Sequence, residues 1–159
     1  MTYSTMPWSD PSRENHTSSR IGYYGLLILG KKLNEYLSVQ VSPTMVHRNL
    51  VPLATDENDA YAVGLGGRVR LSRRVAFVLD YCYVISGIDK NIYTNPLSMG
   101  VDIETGGHVF QLHFSNAQGM NEKAFITNTT DKWGEGEIRF GFNLSRMFVL
   151  NKKVKGDNW

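Results

Sequence analysis

A single cysteine, Cys82, stands among 159 residues, so the chain makes neither an internal disulfide nor a cysteine-based zinc cluster. The plain reading of Cys82 is a small residue facing a packed interior. Long apolar runs are also missing. Runs such as Leu26 to Leu29 fall far short of the roughly 18 residues that a membrane-crossing helix needs. Charge of one sign is scarce: 17 Lys and Arg stand against 15 Asp and Glu, and the basic residues are scattered. That balance argues against a dedicated nucleic-acid surface, so no nucleic-acid partner is expected. The opening stretch, MTYSTMPWSDPSRENHTSSR, is polar, contains two prolines and lacks the charged-then-apolar layout of a secretory signal. An exported protein would have lost that signal or carry it outside this chain.

What the chain does contain is glycine, aromatics and alternation at period 2, the mark of strands with two different faces. From Asp59, the residues Tyr61, Val63, Leu65, Val69 and Leu71 share one face, and Ala60, Ala62, Gly64, Gly66, Arg68 and Arg70 share the other. In the next segment Val75, Phe77, Leu79, Tyr81, Tyr83 and Ile85 oppose Ala76, Val78, Asp80, Cys82, Val84 and Ser86. Leu97, Met99, Val101 and Ile103 alternate with Ser98, Gly100, Asp102 and Glu104. His108, Phe110, Leu112 and Phe114 alternate with Val109, Gln111, His113 and Ser115. The last segment sets Ile138, Phe140, Phe142, Leu144 and Phe148 against Arg139, Gly141, Asn143 and Ser145. Two earlier segments, about Ser19 to Lys31 and Tyr36 to about Leu50, are less regular, and Pro43 suggests a bulge or bend. The reading gives seven strands and no helix.

Connections carry equal information. Lys31–Glu35, Ser72–Arg74 and Thr105–His108 are tight, whereas Leu50–Asn58, Gly87–Pro96 and Ala117–Gly136 are long and polar. Short and long connections alternate, as in outer-membrane barrels with short periplasmic turns and longer outside loops. A Gly106-Gly107 hairpin pairs Thr105 with His108, and register then sets Ile103 opposite Phe110, Asp102 opposite Gln111 and Gly100 opposite His113. Apolar meets apolar and polar meets polar.

One face is bulky and aromatic; the other mixes Gly, Ala and Ser with isolated charges. A solvent-exposed face would carry more Lys and Glu, so the second face reads as a crowded polar lumen and the first as lipid-facing. The expected fold is therefore an all-β, antiparallel up-and-down transmembrane β-barrel. Residues 1–18 form a polar outside segment, 19–150 the barrel strands and 151–159 a periplasmic tail. An odd strand number, with the first segment outside, leads to the expectation that this is the C-terminal part of a larger barrel. Upstream strands of the same protein would complete it, or otherwise several copies would assemble one barrel. Expected partners are outer-membrane lipid and the barrel-insertion machinery, whose terminal aromatic signal Phe148 resembles.

The stretches PTMVHRNLV (Pro43–Val51), ENDAYAVGLGGRVRLSRRVA (Glu57–Ala76), GVDIETGGHVFQLHFSNAQGMNEKAFI (Gly100–Ile126) and WGEGEIRFGFNLSRMF (Trp133–Phe148) are distinctive. With them the chain resembles, from about Arg20 to Leu150, an uncharacterised family of membrane-bound β-barrel proteins of Gram-negative bacteria. The resemblance implies a bacterial outer-membrane location and further strands before this region. It implies no established activity, substrate or catalytic residue.

The lumenal candidates for selectivity are Arg68, Arg70, Asp80, Asp102, Glu104, Gln111, His113 and Arg139, with an Arg68–Asp80 ion pair expected across the sheet. The alternative reading is a salt-bridge network that fills a narrow barrel. Tyr61, Phe77, Tyr81, Tyr83, Phe110, Phe114, Phe140, Phe142 and Phe148 are the lipid-facing or girdle aromatics. Asp102, Glu104 and His113 do not converge as metal ligands, and His16 and His47 have no evident partners, so no metal, cofactor or catalytic set is expected. The loop 117–136 carries Met120, Phe125, Ile126 and Trp133 and reads as a plug for the mouth, a contact for an outside partner, or plain disorder. The functional expectation is a pore, transporter or structural component of the outer membrane. The rivals are a barrel-embedded membrane enzyme and a soluble barrel that binds a small apolar ligand.

Overall fold

The computed structural model describes residues 1–3, 16–49, 51, 57–119 and 121–146. Met120, Phe148, the expected tail 151–159 and most of the expected segment 1–18 lie outside the described residues.

Among the described residues nine strands form one antiparallel sheet: β1 (Thr2–Tyr3), β2 (Ile21–Leu26), β3 (Leu29–Lys32), β4 (Leu37–Arg48), β5 (Asp59–Arg70), β6 (Val75–Ser86), β7 (Leu97–Thr105), β8 (His108–Ser115) and β9 (Arg139–Arg146). Neighbours follow chain order, with β2 and β3 both paired to β4. β2 and β3 are two halves of one strand, broken at Leu27-Ile28 opposite Ser42-Pro43, where Leu27 N–H donates to the Pro43 carbonyl at 3.1 Å. The bend expected at Pro43 therefore falls on the neighbouring strand, and β4 runs through unbroken. With β2 and β3 counted together, each of the seven expected strands is present. The additional strand, Thr2–Tyr3, lies in the stretch expected as a polar outside segment and pairs with Ile21 and Gly22.

The result is an up-and-down half-barrel whose sheet ends at β1 and β9, which do not pair with each other among the described residues. The register set by Gly106-Gly107 is the expected one, Thr105 facing His108 and Gly100 facing His113. Both glycines take positive φ, +56° and +102°, as a two-residue hairpin with the sheet's twist requires. Between β5 and β6, Tyr61 faces Ser86 and Ala62 faces Val84, so Ile85 is the extra residue of a bulge.

The expectation of no helix is corrected. The 116–138 connection contains α1 (Glu122–Thr127) and a single 3-10 turn at Trp133–Glu135, and Thr17–Arg20 forms another. Six residues of helix lie below the span over which a 3.6-residue period can be recognised.

Large apolar side chains lie on the outward face and remain accessible in the middle of the sheet, Leu65 at 48% and Tyr83 at 47%. Buried residues lie on the opposite parity: Val46, Ala60, Ala62, Cys82 and Val84, joined by Ile126 of α1. The core thus sits inside the curve of the sheet, at its loop end.

Candidate functional site

The inner face has three levels. At the loop end, Ala60, Ala62 and Gly64 of β5 take the inner parity, and their short side chains leave a seat. α1 occupies it. Asn121 caps the helix, its Oδ1 accepting from Ala124 N–H at 2.9 Å, and the cap turns Phe125 and Ile126 onto Val46, Ala62, Cys82 and Val84. Lys123 lies across Gly22, where a Cβ would meet its Cδ and Nζ at 3.1 Å. Burial, and then the neighbouring Arg48, hold Lys123 below the ordinary lysine value.

A polar latch fastens this plug. Asn116 Nδ2 donates to the Asp131 carbonyl at 2.9 Å, and Thr94 Oγ1 donates to the same carbonyl at 2.8 Å. Trp133 Nε1 donates to the Leu97 carbonyl at 3.0 Å. The Asp131 carboxylate accepts from Gln118 Nε2 at 2.8 Å and pairs with Arg139. Those two donors, Gln118 first, hold the Asp131 carboxyl below its ordinary range against the opposing effect of desolvation. Arg139, expected among the lumenal charges, thus serves the plug.

At mid-height the expected Arg68–Asp80 pair is corrected. Gly66 does face Asp80, but Arg68 Nε instead reaches Asp102 Oδ2 on β7 at 3.3 Å. Val78 is the cross-strand neighbour of Arg68 and Gly100 lies opposite Val78 on β7, so the long side chain crosses β6 to reach its partner. Asp102 is held for it by Gln111, whose Nε2 donates at 2.9 Å, while Gln111 Oε1 accepts from Asn143 at 3.1 Å. A four-residue polar ladder therefore crosses β5, β7, β8 and β9. The Asp80 side chain has no hydrogen bond or ion pair among the described residues, and it borders two cavities. One, of about 340 Å³, lies beneath α1 between Gln40, Ser42, Thr44 and Cys82; the other, about 510 Å³, extends past Arg68 and Gln111.

His113 stacks over Gly141, and its buried Nδ1 has no partner among the described residues; it bonds to neither Asp102 nor Glu104. Glu104 and Arg70 lie at the turn end, on a third cavity of about 290 Å³. His47, expected to be alone, has two partners: Asp59 Oδ1 at 2.6 Å and Asn49 Oδ1 at 2.9 Å. Register places His47 directly opposite Asp59, so strand pairing alone carries that signal.

Of the expected girdle residues, Tyr61, Tyr83, Phe110, Phe114, Phe140 and Phe142 are exposed on the outward face, and Phe77 and Tyr81 are half-buried. Tyr81 also accepts a hydrogen bond from Asn95 at 3.0 Å, which anchors the 87–96 loop to that face. The 117–136 loop, for which a plug of the mouth was one of three expected readings, packs Phe125 and Ile126 onto the inner face. The traces of this packing in the sequence are the apolar Phe125 and Ile126 in a polar loop, and the Ala-Gly run on the inner parity of β5.

A family described as "Membrane bound beta barrel domain (DUF5777)" matches residues 1–148. Neither the curated proteins nor the solved structures compared with the chain gave a match.

Proposed function

This chain belongs to the family of membrane-bound β-barrel domains, and from that premise we propose that it passes small solutes across the outer membrane of a Gram-negative bacterium, through a lumen closed by its own 116–135 segment. The alternation of short turns with long loops supports the outer-membrane location. The observation that carries the transport reading is Asp80. It is a shared wall of two cavities that follow one another along a polar inner face, beneath a plug fastened by side-chain hydrogen bonds. A lumen kept only for stability would fill that space with partnered side chains.

Outward residues surround this barrel with lipid, and the insertion machinery for outer-membrane barrels is its assembly partner. Further strands of the same protein close the sheet edges at β1 and β9; other copies of the chain are the alternative. A soluble barrel would bury Leu65 and Tyr83 rather than leave nearly half of each accessible.

The test is single-channel recording of the full-length protein in a planar bilayer, beside a variant with residues 119–130 replaced by a short Gly-Ser linker. Transport predicts larger or more frequent conductance steps in the variant, and altered ion preference in Arg68→Ala. A folded, inserted variant that stays silent would sink the transport reading in favour of a structural barrel.

A further inference from the structure

The third cavity lies where the β3-β4 and β5-β6 turns close the other end of the lumen. Its volume is about 290 Å³, and Lys32, Arg68, Arg70, Arg73 and Arg74 contribute to its wall, against the two carboxylates Glu35 and Glu104. Only Arg68 has a carboxylate within ion-pair distance, Asp102. Lys32, Arg70, Arg73 and Arg74 have none among the described residues.

Four unpaired cations around one concavity repel one another. The chain nevertheless fixes the turn that carries two of them and orients the side chain of a third. Ser72 Oγ accepts from the backbone N–H groups of Arg74 and Val75 at 3.2 and 3.1 Å, which locks the tight turn that carries Arg73 and Arg74. Arg70 Nε donates to the Ser72 carbonyl at 3.2 Å and its Nη2 to the Arg73 carbonyl at 3.4 Å. The guanidinium is thereby oriented before any ligand arrives, and its Nη1 group is left available. A guanidinium fork fixed at a polar hollow, with further cations beside it, matches the paired oxygens of a phosphate.

We propose that this turn-end cavity binds a phosphate-bearing anion of more than one negative charge. The site rests on the reading of the inner face as a lumen, but not on conduction, because binding is measured without current. Two sources share the chemistry, a free phosphorylated solute in the lumen and the headgroup of an anionic lipid at the barrel rim. The position of Arg68 and Arg70 on the inner parity of β5 favours the free solute.

The experiment is isothermal titration of the full-length protein, folded in a non-ionic detergent, with pyrophosphate in a buffer free of other phosphate. Saturable binding that weakens with added sodium chloride is expected. The double variant Lys32→Gln/Arg74→Gln removes two side chains that hold no partner among the described residues, and it should bind about tenfold more weakly or worse. Lys132→Gln, in the inserted segment, should bind as the parent does. Repeating the titration in phosphatidylcholine and in phosphatidylglycerol vesicles separates the sources. Equal affinity in both supports a free solute, and loss in phosphatidylglycerol alone supports an occupying headgroup. No saturable binding by the folded parent, or unchanged binding by a folded double variant, overturns the proposal. Either result leaves the conductance test of transport standing on its own.

Discussion

Asp131 of the inserted segment accepts both Nη2 and Nε of Arg139, at 2.8 and 2.9 Å, and so ties the plug to the first residue of β9. The contact joins the segment packed on the inner face to a strand of the sheet. Its strength depends on the carboxylate staying ionised.

That dependence gives a pH prediction. The folded-state pKa of Asp131 lies below its ordinary value of 3.8, so its contribution is fully present above that value and is lost as pH falls through the lower folded value. Neutral and mildly acid conditions leave the latch intact. Amide exchange of residues 121–131, followed at matched pH in the parent and in Asp131→Asn, should show higher protection in the parent at pH near 6. The two should converge at strongly acid pH. Identical protection throughout would mean that the pair does not hold the plug.

Ile126 is 4% exposed and packs with Val46, Ala62 and Val84, so Ile126→Ala removes buried contact between plug and wall. The expected cost is about 2–4 kcal/mol, borne by plug docking rather than by the strands. Limited proteolysis should cut the 116–135 segment faster in the variant, while heat-modified gel migration of the barrel stays unchanged. Loss of the barrel band together with the segment would show that plug and wall fold as one unit.

The sheet was legible because its rules are local. Parity assigned the faces, and Gly106-Gly107 alone set the β7-β8 register. A plug was one reading of the 117–136 loop, but the contacts that seat it were not legible, because they join residues far apart in the chain. Thr94 meets Asp131 across 37 residues and Trp133 meets Leu97 across 36, and neither separation is reflected in a periodic pattern. Arg68 shows a different failure. Reasoning from adjacent strands points to Asp80, whereas a side chain that long reaches past its neighbour to an acceptor already oriented by Gln111. His47 and Asp59, by contrast, were within reach of register logic, being direct partners on β4 and β5.

Gly100 gives a prediction about the wall itself. A Cβ there would lie 2.5 Å from the Leu112 carbonyl oxygen and 2.9 Å from His113 Cβ, so the side chain of alanine has no room unless β7 and β8 part. Gly100→Ala should destabilise the folded barrel by about 1–3 kcal/mol, read as a lower urea midpoint for refolding into micelles. An unchanged midpoint would mean that the two strands separate at little cost.

Gln111 and Leu112 are consecutive on β8 and point to opposite sides of the sheet, Gln111 into the ladder with Asp102 and Leu112 outward beside Phe142. The same substitution at both therefore compares the two faces at nearly one depth. Arginine at Leu112 would be placed against hydrocarbon, where it costs about 2–4 kcal/mol near the bilayer midplane. At Gln111 it would enter the polar lumen next to the Asp102 carboxylate, a position where a cation is tolerated. Refolding of Leu112→Arg and Gln111→Arg into lipid vesicles, with stability read from urea titration, should separate them by at least about 2 kcal/mol, Leu112→Arg the weaker. Equal losses would place similar surroundings on both sides and remove the ground for reading the outward face as lipid-facing. A larger loss at Gln111 would reverse the faces altogether.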